Sequence, residues 1–267
     1  MDRKIFVTLI LLFMALGCQK ESQKGKSTDT KKSLNVGNGV SVEVVINQDR
    51  IVNAIPRMFT GLSFETKILT ANPEFLNVNN GVLIQLIKNI GPGILRIGGN
   101  SSDLIDWDGT PRTSTTPADV LTASDIDRLS AFSKQIGWPV LFGLNLGNND
   151  IPAALNEARY VHNSLQSNLY AFQSANEPDS FLYELRPASY QYSNYRLEWE
   201  NYFNAIKNAI PDDVFAGPDV SYNTDWFNLF AESEHNNISL LDAHSYAAGP
   251  ASSPAIDYHN ILIYDHG

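Results

Sequence analysis

The strongest constraint on this chain is a repeated alternation that begins near Phe59. Short β-branched or apolar runs trade places with longer stretches whose apolar residues recur every three to four positions. Strand-like segments fall at 59–65, 94–100, 139–146, 169–173, 214–217 and 240–244. The intervening stretches read as helices: 79–90, with Leu83, Leu86, Ile87 and Ile90 on one stripe; 124–136, opened by Ser124 and Asp127 as a capping box; 150–166; 189–210; and a short aromatic helix around Trp226, Phe227 and Phe230. Six strands and five helices in strict order imply parallel β/α units, because two parallel strands need a crossover between them.

A doubly wound sheet and a (β/α)8 TIM barrel both satisfy that count. Their difference lies in where the chemistry collects. Glu65, Asn100, Asn145, Asn176 with Glu177, Asp219, and His244 with Tyr246 all fall at the C-terminal ends of strands, the face on which a barrel gathers its polar residues. No glycine-rich phosphate loop follows any strand, which argues against a dinucleotide or nucleoside-triphosphate site. The expected fold class is α/β, a TIM barrel.

Charge marks the first boundary. Residues 1–39 hold seven Lys and Arg against three acids, a net of +4, so the chain total of −10 leaves −14 on the other 228 residues. That balance excludes a general nucleic-acid binder, which needs clustered cations. Arg3 and Lys4 precede an apolar run over 5–16 that is short for a membrane span and has the layout of an export signal. It closes on Ala15-Leu16-Gly17-Cys18, with the chain's one cysteine at the last position. This resembles a bacterial lipobox, with Ala15 where Leu is usual. The resemblance implies a signal peptide over 1–17, a lipid-modified Cys18 at the membrane of the bacterial cell envelope, and a flexible tether through 39. Residues 40–47 read as a separate strand, and the barrel domain as 58–267.

The tripeptide Asn176-Glu177-Pro178 follows a strand directly, so Glu177 should project over the barrel mouth. A retaining glycosidase needs a carboxyl there that first donates and then removes a proton. A surface turn capped by proline would look the same. The wider pattern adds weight: GLSFET (61–66), LRIGGNSSD (95–103), QSANEPD (173–179), GPDVS (217–221) and DAHSY (242–246) occur in the order of successive strand ends. Together they resemble glycoside hydrolase family 79, the heparanase and β-glucuronidase group within clan A of the retaining glycosidases.

By that resemblance Glu177 is the acid/base and Asn176 its sugar-binding neighbour. Glu65, Asn100 and Asp103 match positions lining the sugar subsite, His244 and Tyr246 the imidazole and aromatic pair near the nucleophile, and Trp107 a stacking platform. The family places its nucleophilic Glu on a seventh strand and carries a C-terminal β-sandwich. No Glu follows Glu234 in this sequence. The expectation is therefore an N-terminal portion with about six of eight β/α units, lacking the nucleophile and inactive alone, its strand at 40–47 belonging to an absent sandwich.

Two other readings stay open: a clan A β-glucosidase or xylanase type, and a non-catalytic sugar-binding surface lipoprotein. With only 12 Lys and Arg beyond residue 39, a polysulfated substrate is less favoured than a glycan with one uronate or none. The five His show no metal-ligand spacing, and retaining glycosidases use no cofactor. The expected partners are a carbohydrate substrate and, through Cys18, a membrane.

Overall fold

The structure is a computed structural model that describes residues 30–36, 40–46, 54–183 and 185–245. Residues 1–17, read from the sequence as an export signal, Cys18 and Tyr246 lie outside the described residues. The chain divides into two units, before and after Ile55.

In the first unit, β1 (Thr30–Val36) pairs antiparallel with β2 (Val40–Ile46), from Thr30 opposite Ile46 to Val36 opposite Val40. The sequence pattern makes the first of these segments tether and leaves the second without a partner. In the structure the two segments pair with each other. Leu34 and Val36 alternate in step with Val40 and Val42, and Asn38-Gly39 is a strong hairpin signal, one masked by the lysines around it.

The second unit holds six parallel strands: β3 (Thr60–Glu65), β4 (Gly93–Gly98), β7 (Val140–Leu144), β8 (Leu169–Ser174), β9 (Phe215–Val220) and β10 (Leu240–Ala243), adjacent in that order. Between them run α1 (Lys67–Ala71) and α2 (Gly81–Ile90), then α3 (Ala123–Ile136), α4 (Ile151–Leu165), α5 (Tyr192–Ala209) and α6 (Thr224–Glu234). A two-residue ribbon of β5 (Asp106–Trp107) and β6 (Val120–Leu121) precedes α3. Among the described residues no helix is long and apolar enough to cross a membrane.

Local chemistry sets the helix starts. The side chains of Asn80, Asp150 and Asn223 accept the backbone N–H groups of Leu83, Ala153 and Trp226, which would otherwise be orphaned. For α3 the cap lies two residues earlier than the sequence spacing suggests. Asp125, fully buried, accepts the Thr122 N–H at 3.0 Å and its hydroxyl at 2.7 Å, while Arg112 and Arg128 pair with the same carboxylate. Ser124 and Asp127 instead contact the Arg112 N–H and the Tyr160 hydroxyl.

The strand period of two separates the sheet's faces. Phe64, Leu95, Ile97, Val140, Phe142, Leu144, Phe172 and Phe215 pack under the helices in the main core. Leu141, Ala171 and Ala216 form a small apolar floor on the other face. Above that floor the second face turns polar, with Ser63, Arg96, Gln173, Asp219 and Asp242 lining one cleft.

The sheet is strongly curled. Arg96 on β4 and Asp219 on β9 are three strands apart, a separation of roughly 14 Å in a flat sheet, yet their side chains pair at 2.5 Å. The six strands thus form an incomplete (β/α)8 barrel, with this face inside. An aromatic cluster supports β9 from outside: Trp199 stacks on Phe203 at 5.1 Å and meets Phe230 edge-on at 5.0 Å, over Gly217, where a Cβ would lie 3.0 Å from the Phe230 ring.

Removing the Asp125 carboxylate leaves two arginines and the Thr122 N–H without their shared partner. Asp125→Ala should lower the unfolding free energy by about 3 kcal/mol, measured by urea denaturation, whereas Asp127→Ala on the exposed side of the same helix should change it by less than about 1 kcal/mol.

Candidate active site

Glu177 lies just past β8, in a loop bent by two residues with left-handed backbone, Ala175 at φ 81° and Glu177 itself at φ 50°. Such conformations are uncommon for residues with a Cβ and need support from their surroundings. The support is explicit. The Glu177 N–H donates to the Asp219 carbonyl at 2.9 Å, its carbonyl accepts the Ser180 N–H, and Asp179 accepts the N–H groups of Ser221, Tyr222 and Asn223 beyond β9.

Asn176 is buried and held at both ends of its amide. Its Oδ1 accepts from Arg96 Nη2 at 2.9 Å and its Nδ2 donates to Asn100 Oδ1 at 2.7 Å. Its N–H donates to Asp103 Oδ2 at 2.8 Å. The Arg96 guanidinium also donates to Gln173 Oε1, Ser63 Oγ and Asp219 Oδ2.

His244, just after β10, bridges two carboxylates. Its Nδ1 lies 2.6 Å from Glu177 Oε1 and its Nε2 lies 2.9 Å from Asp219 Oδ1. A neutral imidazole donates from one nitrogen, whereas the imidazolium satisfies both contacts. The hydrogen bond to Asp219 accordingly raises the His244 pKa to about 9, against the opposing effect of burial. Below the pair, Asp242 accepts the Asp219 N–H at 3.0 Å and Gln173 Nε2 at 2.5 Å; burial first, and the neighbouring Asp219 charge second, push its carboxyl up to about 7.

These groups front a cleft of about 520 Å³ that reaches from Glu65 to His244, adjoined by a smaller hollow of about 200 Å³ beside Ser180 and Phe181. Asn100, Asn176 and Glu177 border both. Glu65 is exposed at the end of β3, and its carboxylate is oriented by the Ser101 hydroxyl at 2.6 Å and N–H at 2.9 Å. Gly99, at φ 77°, makes room for it, since a Cβ there would collide with the Glu65 carboxylate.

Of the residues singled out from the sequence, Glu177, Asn176, Asn100, Glu65 and His244 thus converge on one cleft. Two others have different roles. Trp107 sits on β5, donates to Asn156 Oδ1 at 2.7 Å and packs on Tyr160 at 5.5 Å, so its indole is anchored against α4. Asp103 is fully buried and accepts three backbone N–H groups, from Leu146, Gly147 and Asn176. It is the tie between the loops after β4, β7 and β8, and it borders the smaller hollow beside Asn100 and Glu177. Asp219, expected at this face, is joined by Arg96, Gln173 and Asp242, which were not. Their signal is a polar residue inside an otherwise apolar strand, as in ILRIG and LYAFQS.

The fold is similar to those of solved glycosidases. A 4-O-α-L-rhamnosyl-β-D-glucuronidase from Fusarium oxysporum superposes with a TM-score of 0.57 at 17% identity, over 73% of this chain and 46% of that one. A family 51 α-L-arabinofuranosidase from Bifidobacterium longum gives 0.55 at 17%, over 75% and 47%. In sequence, heparanase-like protein 3 of Arabidopsis thaliana is a homologue, 25% identical over 202 residues, which cover 66% of this chain and 38% of the relative. No family model matches. The matched part of this chain spans less than half of each of these proteins.

Burial raises the Asp103 carboxyl to about 7 despite its three backbone donors. A group raised on folding contributes most below its unfolded value, near 3.9, and that contribution fades as pH rises through 7. Asp103→Ala should cost about 3 kcal/mol at pH 5, from the unpaired N–H groups it leaves behind. Its unfolding free energy should also fall less between pH 4 and 7 than that of the wild type, both read from urea melts across that range.

Proposed function

We propose that the protein is a retaining β-glycoside hydrolase acting on β-glucuronides or related glycans, with Glu177 as its general acid/base. The observation that carries this reading is the placement of Glu177: past the fourth barrel strand, at the border of the cleft, with Asn176 fixed beside it and His244 hydrogen-bonded to its carboxyl. In the first step Glu177 gives its proton to the glycosidic oxygen as the C–O bond breaks. In the second it takes a proton from the water that releases the sugar. Asn176, anchored by Arg96 and Asn100, is the neighbour assigned to a sugar hydroxyl.

The covalent half of the reaction needs a second carboxyl about 5 to 5.5 Å away. Among the described acids lining the large cleft with Glu177, Asp219 is buried and Asp242 half-buried, both committed to Arg96, His244 and Gln173, and Glu65 is bonded to Ser101, so these residues support the acid/base half. The family resemblance assigns the nucleophile to a seventh strand.

The Fusarium oxysporum neighbour is a β-D-glucuronidase, and its likeness to this chain supports a uronate substrate. The site's cations argue against a polysulfated one, because Arg96 and His244 are both engaged by carboxylates of the chain itself. Toward the N-terminus, the run closing on Cys18 supports export and lipid anchoring at the cell envelope. Metabolic labelling with a fatty acid should mark the wild type and not Cys18→Ser; equal labelling would refute the anchor.

For catalysis, the longest natural polypeptide carrying this chain should be assayed on aryl β-glucuronides of graded leaving-group ability. Glu177→Gln should lose about 10² to 10⁴-fold in kcat/KM on poor leaving groups and far less on activated ones, which leave without a proton. Parallel losses on both would remove Glu177 from the acid/base role. Binding without turnover in the wild type would favour a lectin-like protein.

A further inference from the structure

We propose that Asp219 is a positioning residue: held by Arg96, it fixes His244 as the doubly donating imidazolium that orients the Glu177 carboxyl, and so sets the alkaline limit of the site. Asp219 is buried, with each oxygen given to a different cation, Oδ2 to Arg96 at 2.5 Å and Oδ1 to His244 at 2.9 Å. Its main chain carries two further bonds, the N–H to Asp242 and the carbonyl accepting the Glu177 N–H. Asp219 therefore reaches Glu177 twice, once through the peptide that shapes the Glu177 loop and once through the imidazole on its carboxylate.

The Asp219 backbone is left-handed, at φ 58°, a conformation that surrounding contacts must sustain. The charged groups lining the cleft with His244 are Glu177 from the loop after β8, Asp219 from β9, Arg96 from β4, Asp242 from β10 and Glu65 from β3. Arg96 disfavours the imidazolium, while Asp219 and Glu177 favour it and touch it directly; this contact outweighs burial, in keeping with the elevated His244 pKa.

Asp219→Asn separates this role from simple packing. The amide has nearly the same shape, and its oxygen must face Arg96, since that guanidinium can only donate. Its NH₂ group then faces His244 Nε2, which can accept only as neutral imidazole. The ring keeps its Nδ1–H bond to Glu177 but loses the ability to stay protonated.

Ring-nitrogen NMR of the intact chain should show His244 titrating near the wild-type value of about 9, and about two pH units lower or more in Asp219→Asn, with Nε2 unprotonated at neutral pH. An unchanged titration in the variant would overturn the proposal. So would a wild-type His244 that titrates at or below the ordinary histidine value, a result that needs no variant to fold. The kinetic consequence rests on the assignment of Glu177: the alkaline limb of kcat/KM should move down with the histidine, with activity at acidic pH less affected. A uniform loss at all pH values would mark Asp219 as merely structural. Absence of glycosidase activity would sink the Glu177 assignment while leaving the histidine titration a valid test of Asp219.

Discussion

A guanidinium inside a curled sheet needs acceptors for a rigid fork of N–H groups, and Arg96 finds them on three other stretches of chain. Ser63 comes from β3, Gln173 and Asn176 from β8 and its loop, and Asp219 from β9. The Asp219 bond is possible only if the sheet bends far enough to bring β4 and β9 together, so curvature and charge pairing depend on each other. A lysine would supply the charge without the planar fork that holds several acceptors in fixed directions. From this centre the order of the site spreads outward, to Asn176 and Asn100 on one side and to Asp219, His244 and Glu177 on the other.

Around that cation, carboxyls of one chemical type acquire different properties from their surroundings alone. Asp103 is enclosed by backbone N–H groups and joins three loops. Asp219 is held between two cations. Asp242 lies under Asp219, where burial and a like charge favour its neutral form. Glu177 is the one on the partly exposed loop, 18% accessible and in reach of the cleft. Separating neighbouring acids by environment is how one site can hold carboxyls in distinct roles, and here the separation follows from which strand end each acid occupies.

Much of this is legible in the sequence. The alternation of periods two and three to four locates every strand of the sheet to within a few residues, and the helix starts at Asn80 and Asp150 follow from capping chemistry. Glu177, Asn176, Asn100, Glu65 and His244 can be named because strand ends are where barrel chemistry sits. The anchoring of Trp107 by Asn156 and of Asp103 by three backbone donors is invisible in the sequence, because a residue type suited to sugar binding is equally suited to packing or to satisfying backbone donors. The hairpin of β1 and β2 is hidden because its lysines resemble a solvated tether, although the alternating apolar positions and the Asn38-Gly39 pair are present.

Local sequence was enough for the order of the parallel β/α units, since strand period, helix period and helix caps are properties that neighbouring residues encode directly. It was also enough to put a carboxylate past the fourth barrel strand. The company that carboxylate keeps is another matter, and it belongs to the folded chain alone. Arg96 and Asp219 are 123 residues apart, and Glu177 and His244 are 67; no local pattern ties such pairs. Their contact arises from how far the sheet curls and from the left-handed turns at Glu177 and Asp219, and those depend on packing summed over the whole barrel face.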